Sequence, residues 1–178
     1  MKQAPTLETK RLRLRHHTKD DFQNLVTMWS EPKVFQFIGG KAFSTQQTWG
    51  KLLGCIGHWA LMDYGYWLVE EKVTGQFVGQ IGFANQMRGI SEIEDLPEMG
   101  WVLSSHCHGK GFATEGVEAS LEWANSNISS PLSACIISPE NLSSLKVAKK
   151  FSFKEVRTMT YQDSLTTVFL RDKNLIGQ

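Results

Sequence analysis

No run in this chain of 178 residues approaches the roughly 20 apolar residues that a membrane-spanning helix needs. The N-terminus also lacks the apolar stretch of a signal peptide, so a cytoplasmic protein is expected. Charge of one sign is missing as well. Lys and Arg number 19 against 18 Asp and Glu, a net +1 that gives no global attraction to nucleic acid or anionic lipid. Cysteine is scarce: Cys55, Cys107 and Cys135 are odd in number and lack framework spacing, as expected of free thiols in a reducing compartment. His106-Cys107-His108 gathers metal-ligand types, but neighbouring residues point apart and no second Cys or His pair completes a tetrahedral set, so no metal is expected. Internal repeats, low-complexity tracts and composition breaks are absent, and residues 1–178 are read as one domain.

The informative stretch is Glu98 to Glu115, where an apolar strand runs into a Gly-Lys-Gly turn and then an amphipathic helix. That order aims free backbone N–H groups and the positive end of a helix dipole at one spot, an arrangement suited to a phosphate or pyrophosphate. Two familiar glycine motifs do not fit. A P-loop would need glycine where Ser104 stands and Ser or Thr where Gly111 stands, and the dinucleotide fingerprint would need a third glycine at Thr114.

His108-Gly109-Lys110-Gly111-Phe112-Ala113, followed by Thr114-Glu115, resembles the acyl-CoA signature of the Gcn5-related N-acetyltransferases (GNAT superfamily). The form is similar to the branch holding the ribosomal-protein N-terminal serine and alanine acetyltransferases. Residues 141–153, from Asn141-Leu142-Ser143-Ser144 to Phe151-Ser152-Phe153, resemble the family's N-x-x-S segment. Residues 7–15 resemble its opening strand, and Thr74-Gly75 with Val78-Gly79-Gln80-Ile81-Gly82 its second hairpin. The blocks occur in family order over nearly the whole chain. His108 departs from the usual Arg or Gln, Ser152 from the usual Gly, and Gly116 costs about 1 kcal/mol against Ala in the helix.

Local patterns give the element order. Residues 10–16 alternate as a strand, with Arg11, Arg13 and Arg15 on one solvated face of an edge strand rather than forming an RNA-binding stripe. Helical spacing follows from Phe22 to Trp29, ended by Glu31-Pro32, and again from a Ser44 cap to about Met62. Strands are expected over 66–73, 76–84, 99–103 and 132–137, helices over 114–126 and 143–151, and a closing hairpin around Asp163-Ser164. Residues 85–96 read as a loop. The expected fold is α+β, a twisted, mixed but largely antiparallel sheet of six to seven strands with helices on both faces. The resemblance adds strands splayed around a cofactor cleft.

What the resemblance implies for chemistry is transfer of an acetyl group from acetyl-CoA to an amine by direct attack. Backbone N–H groups from Gly109 through Lys110, Gly111, Phe112, Ala113 and Thr114, next to His108, would hold the pyrophosphate. An N–H near Val102 or Leu103 would face the thioester oxygen, and Asn141 would contact the cofactor arm. An alkyl amine is mostly protonated at neutral pH, so a base is needed, and Glu98 at the head of the cofactor strand is the first candidate. Glu98 can equally be a surface glutamate at a strand entrance; Glu94 and Asp95 are alternates. Ser144 is the candidate donor to the leaving thiolate or a plain helix N-terminal serine, with Tyr161 behind it, and His106 is a further base candidate or a partly exposed turn residue. Trp29, Phe35, Phe37, Trp49, Trp59, Tyr64 and Trp67 supply core and one or two walls of the acceptor pocket. The acceptor is a protein N-terminus or a small amine, with no nucleic acid or membrane partner, and the chain is a monomer or homodimer. A non-catalytic acyl-CoA-binding module is the other reading.

Overall fold

The computed structural model describes residues 3–175. One eight-stranded sheet runs in the order β1-β2-β3-β4-β5-β6-β8-β7. Its strands are β1 (Leu7–Glu8), β2 (Leu12–Arg15), β3 (Tyr66–Glu71), β4 (Phe77–Ala84), β5 (Glu98–Leu103), β6 (Leu132–Ile137), β7 (Lys154–Tyr161) and β8 (Ser164–Asp172). Every neighbouring pair is antiparallel except β5 and β6. The sheet therefore exceeds the expected six to seven strands. The extra one, β1, has two residues, too few to show alternation in sequence. Pairing with β1 also means that β2 is not an edge. Its arginines are neutralised locally: Arg13 pairs with Glu8 and Glu70, and Arg15 with Asp21 and Glu70.

The helices are α1 (Phe22–Trp29), α2 (Pro32–Phe35), α3 (Thr45–Met62), α4 (Phe112–Asn127) and α5 (Leu142–Lys150). Glu31-Pro32 does more than end α1. Pro32 takes the first position of α2, where its missing N–H is no loss. Ser44 caps α3 in a reciprocal box, with Gln47 N–H donating to its Oγ (3.2 Å) and its own N–H to Gln47 Oε1 (2.8 Å). Leu25 and Met28 of α1 and Leu52 of α3 pack with Val102 on one sheet face. Val117 and Leu121 of α4 and Ala148 near the end of α5 pack with Ile81, Met99 and Leu103 on the other. Among the described residues no helix is long and apolar enough to cross a membrane.

Two irregularities have local causes. Gly116 brings α4 close to the sheet, since a Cβ there would lie 2.4 Å from Ile81 Cδ1. Ser152 takes the left-handed backbone (φ 63°) that closes α5, with its N–H on Lys149 O (3.2 Å) and that of Phe153 on Ala148 O (3.0 Å). A serine Cβ is disfavoured in that conformation, so Ser152→Gly should raise stability by about 1 kcal/mol, read as a higher denaturant midpoint at unchanged slope.

His17 is 4% exposed, with Nε2 2.7 Å from Gln80 Nε2. Burial disfavours its imidazolium and pushes its pKa down to about 4, against an ordinary value of 6.5. The unfolded chain thus takes a proton near pH 6.5 that the folded chain refuses until about pH 4. Stability is full above pH 6.5 and falls across that window, by about 3 kcal/mol in all for a shift of this size. Denaturation of His17→Gln between pH 4 and 7 should show a correspondingly shallower pH slope.

Candidate active site

The site begins where two strands part. β5 is paired with β4 along its whole length, but with the parallel β6 it shares one bridge, Glu98 with Ala134. Ala134 N–H donates to Pro97 O (3.0 Å), and beyond that point the strands diverge. Antiparallel strands turn alternate N–H groups to each side. Ser104 N–H donates to Val78 O on the β4 side (2.9 Å), so Val102 and Gly100 also turn inward, while Trp101 and Leu103 face the gap. The expectation of a free N–H at Val102 is thereby corrected, and Leu103 is joined by Trp101. The indole of Trp101 spans the gap, its Nε1–H donating to Ser144 Oγ at 3.2 Å. Ser144 thus receives one hydrogen bond and keeps its own hydroxyl proton to give.

At the end of β5 the chain turns through Gly109 (φ 75°) and Gly111 (φ 79°), both in the left-handed region that favours glycine. Gly111 is the N-cap of α4 and accepts from Glu115 N–H at 3.1 Å, the first bonded amide of the helix. Ahead of it, the N–H groups of Gly109, Lys110, Gly111, Phe112, Ala113 and Thr114 have no backbone partner among the described residues. They sit at the positive end of a 16-residue helix. His108 Nε2 lies 2.9 Å from Leu103 O, closing the strand end against the turn.

A clamp that the sequence reading missed fixes this turn. Glu115 accepts from Thr9 Oγ1 (2.6 Å), Arg11 N–H (2.7 Å) and Arg11 Nε (2.6 Å). Burial raises the Glu115 pKa, but these donors outweigh it and hold the group below the ordinary carboxylate value. Arg11 also donates to Lys110 O (2.9 Å) and lies 4.6 Å over the Phe112 ring. The carboxylate nearest the helix start is thus turned away toward β1 and β2, leaving the row of amides clear.

On the α3 side, the gap opens into a cleft of about 790 Å³ that reaches Glu98, Val102, Asn141 and Ser144. The amide turn at 109–114 lies outside it. Glu98 is 5% exposed and does not stand free: Arg88 binds both its oxygens, Nε at 2.6 Å and Nη2 at 2.7 Å. Arg88 also reaches Tyr161 Oη at 3.4 Å. Asn141 lines the cleft, but its Oδ1 caps α5, accepting from Ser144 N–H at 3.2 Å. Glu94, Asp95 and His106 are not among the cleft-lining residues. His58 lines it with both ring nitrogens in use, Nδ1 2.6 Å from Tyr64 O and Nε2 accepting from Asn85 N–H at 2.9 Å. Of the aromatic candidates, Trp29 and Phe37 form walls, whereas Phe35, Trp49, Trp59, Tyr64 and Trp67 do not. The charged lining residues are Lys51 and Arg88 against Glu98 and Glu140, neither an acidic trough nor a closed aromatic box. Among the described residues no three His, Cys, Asp or Glu side chains converge on a metal position.

Arg88 and Trp101 could have been suspected only from generic cues, an arginine in a polar loop and an aromatic on the cofactor strand. Their partners lie 10 and 43 residues away.

Comparison with known proteins bears on the family and the fold. The uncharacterized N-acetyltransferase p20 of Bacillus licheniformis is 26% identical over 84% of this chain and 83% of its own. An acetyltransferase structure from Agrobacterium tumefaciens superposes with a TM-score of 0.83 at 26% identity, covering 96% of this chain and 95% of that one. The RimL ribosomal L7/L12 α-N-protein acetyltransferase, in complex with coenzyme A, shares the fold (TM-score 0.77, 14% identity, 94% and 98% covered). The profile of the acetyltransferase (GNAT) domain matches residues 11–154, and with the parted strands and the open amide turn in place, the chain belongs to the GNAT acetyltransferase family.

Proposed function

We propose that this protein moves the acetyl group of acetyl-CoA to a primary amine by direct attack within a ternary complex. The observation that carries the proposal is the row of open amides from Gly109 to Thr114 beside a strand whose Trp101 and Leu103 N–H groups face the gap. The amides take the pyrophosphate. The strand N–H groups meet the cofactor arm and the thioester oxygen, whose charge grows as the amine nitrogen bonds to the carbonyl carbon. As the C–S bond breaks, the Ser144 hydroxyl donates a hydrogen bond to the departing thiolate, which finally takes its proton from water. The amine's proton leaves on the opposite side of the sheet toward Glu98, directly or through water.

The mixed charge of the cleft argues against a polyamine acceptor, and its size and aromatic walls suit a peptide N-terminus or a medium-sized amine. The Glu98–Arg88 pair favours a second reading, an acyl-CoA-binding module without catalysis, because both carboxylate oxygens are already engaged.

Acetyl-CoA at about 100 times its Kd should add about 2.7 kcal/mol of stability, seen as a raised Tm that ATP and NAD do not produce. An unchanged Tm would remove the cofactor from the proposal. Glu98→Gln separates the two readings. It leaves Arg88 largely buried without its counter-charge, so stability should fall by on the order of 3 kcal/mol, read as a lower Tm. Under the catalytic reading, thiol release with an active amine also drops about a hundredfold at unchanged acetyl-CoA affinity. Turnover equal to that of the parent protein would assign Glu98 to structure alone.

A further inference from the structure

One side chain in the cleft wall has no role in the scheme above. Tyr66 opens β3 opposite Gly82 of β4, and Gly82 in turn lies opposite Gly100 of β5. Cross-strand partners share a sheet face, and here two of the three lack side chains. The tyrosine therefore reaches across the sheet, and its Oη comes to rest over Gly100, where a built Cβ would sit 2.0 Å from it. A phenol rooted on β3 is in this way delivered to the cofactor strand, one residue before the gap-facing N–H of Trp101.

The hydroxyl meets no donor or acceptor among the described residues. Largely buried phenols ordinarily find a partner within the protein, so a hydroxyl that opens instead onto a cleft is available to a ligand. Burial, with the Glu98 carboxylate adding to it, holds the phenol pKa above its ordinary value, so the group stays neutral.

The side matters. Glu98, Gly100 and Val102 share the face covered by α3, whereas Trp101 extends from the opposite face to Ser144. A thioester laid in the gap is thus served by Ser144 from one side and open to attack from the other, where Tyr66 Oη and Glu98 stand together. We infer that Tyr66 is a catalytic residue on the acceptor side, its Oη accepting a hydrogen bond from the attacking amine and so aiming the nitrogen lone pair at the thioester carbon over Gly100. The inference rests on the proposed amine acetylation. Atom balance is that of the transfer itself, since the phenol neither gains nor loses a proton overall.

The test compares the parent protein with Tyr66→Phe at saturating acetyl-CoA, following thiol release with a seryl-initiated tetrapeptide, phenethylamine and spermidine. Because Oη has no protein partner, the Phe variant should keep its Tm and its acetyl-CoA Kd. Its turnover with the active amine should fall about tenfold or more. Equal turnover in the two proteins overturns the inference while leaving amine acetylation intact. A lowered Tm or weakened acetyl-CoA binding that accounts for the loss overturns it too, by making the hydroxyl structural or part of the cofactor site. A parent protein that releases no thiol with any of the amines overturns amine acetylation and this inference with it.

Discussion

β5 and β6 lie side by side and parallel, yet exchange hydrogen bonds only around Glu98 and Ala134. Parallel neighbours in a sheet normally pair along their length, so this divergence leaves strand edges with unsatisfied amides inside the protein. The proposed cofactor anchor and acceptor cleft both follow from it. The edge of β5 turns Trp101 and Leu103 toward the gap, the strand ends in the Gly109–Gly111 turn, and the gap itself connects the two faces of the sheet. Antiparallel pairing on both flanks, β4 to β5 and β6 to β8, keeps the two halves from collapsing together.

Charge is distributed so that the amide turn remains free. Glu115 belongs to the first turns of α4, where a carboxylate favours the helix dipole and could compete for the same donors. Thr9 and Arg11 draw it away and tie the helix start to β1 and β2. Arg11, Arg13 and Arg15 are occupied in the same manner with Glu115, Glu8, Glu70 and Asp21, so this basic stripe is internally balanced. In the cleft, Arg88 plays the corresponding part for Glu98.

How much of this the sequence disclosed depended on range. The turn at Gly109 and Gly111, the Ser44 cap, the hairpin at Asp163-Ser164 and strand Leu132–Ile137 all carry local signals, and the structure places them within a residue or two of expectation. The parting of the strands came from family resemblance, since no local pattern encodes a missing ladder. Glu98 was legible as a cleft residue but not as half of an ion pair, because Arg88 sits in a loop without periodicity. Which N–H groups of β5 are free is a matter of parity, fixed by the register with β4, and sequence alone leaves Val102 and Leu103 equivalent. Tyr66 was invisible for a similar reason: its position over Gly100 is set by two successive registers, neither of which a linear reading supplies.

The two ligands of the proposed reaction would be held by different kinds of chemistry. The amide row proposed to take the pyrophosphate is main chain, and apart from the left-handed turns at Gly109 and Gly111 it depends little on the side chains around it. The cleft is lined by residues from many segments, among them Trp29, the 36–43 segment, α3, Tyr66, the 85–88 loop, β5, the 135–144 stretch and the closing hairpin. Evolutionary drift can therefore rework one half of the molecule while the other stays fixed. On the proposed function, a departure such as His108 in the turn would leave the main-chain amides in place, whereas exchanges along the cleft would bear on which amine is accepted.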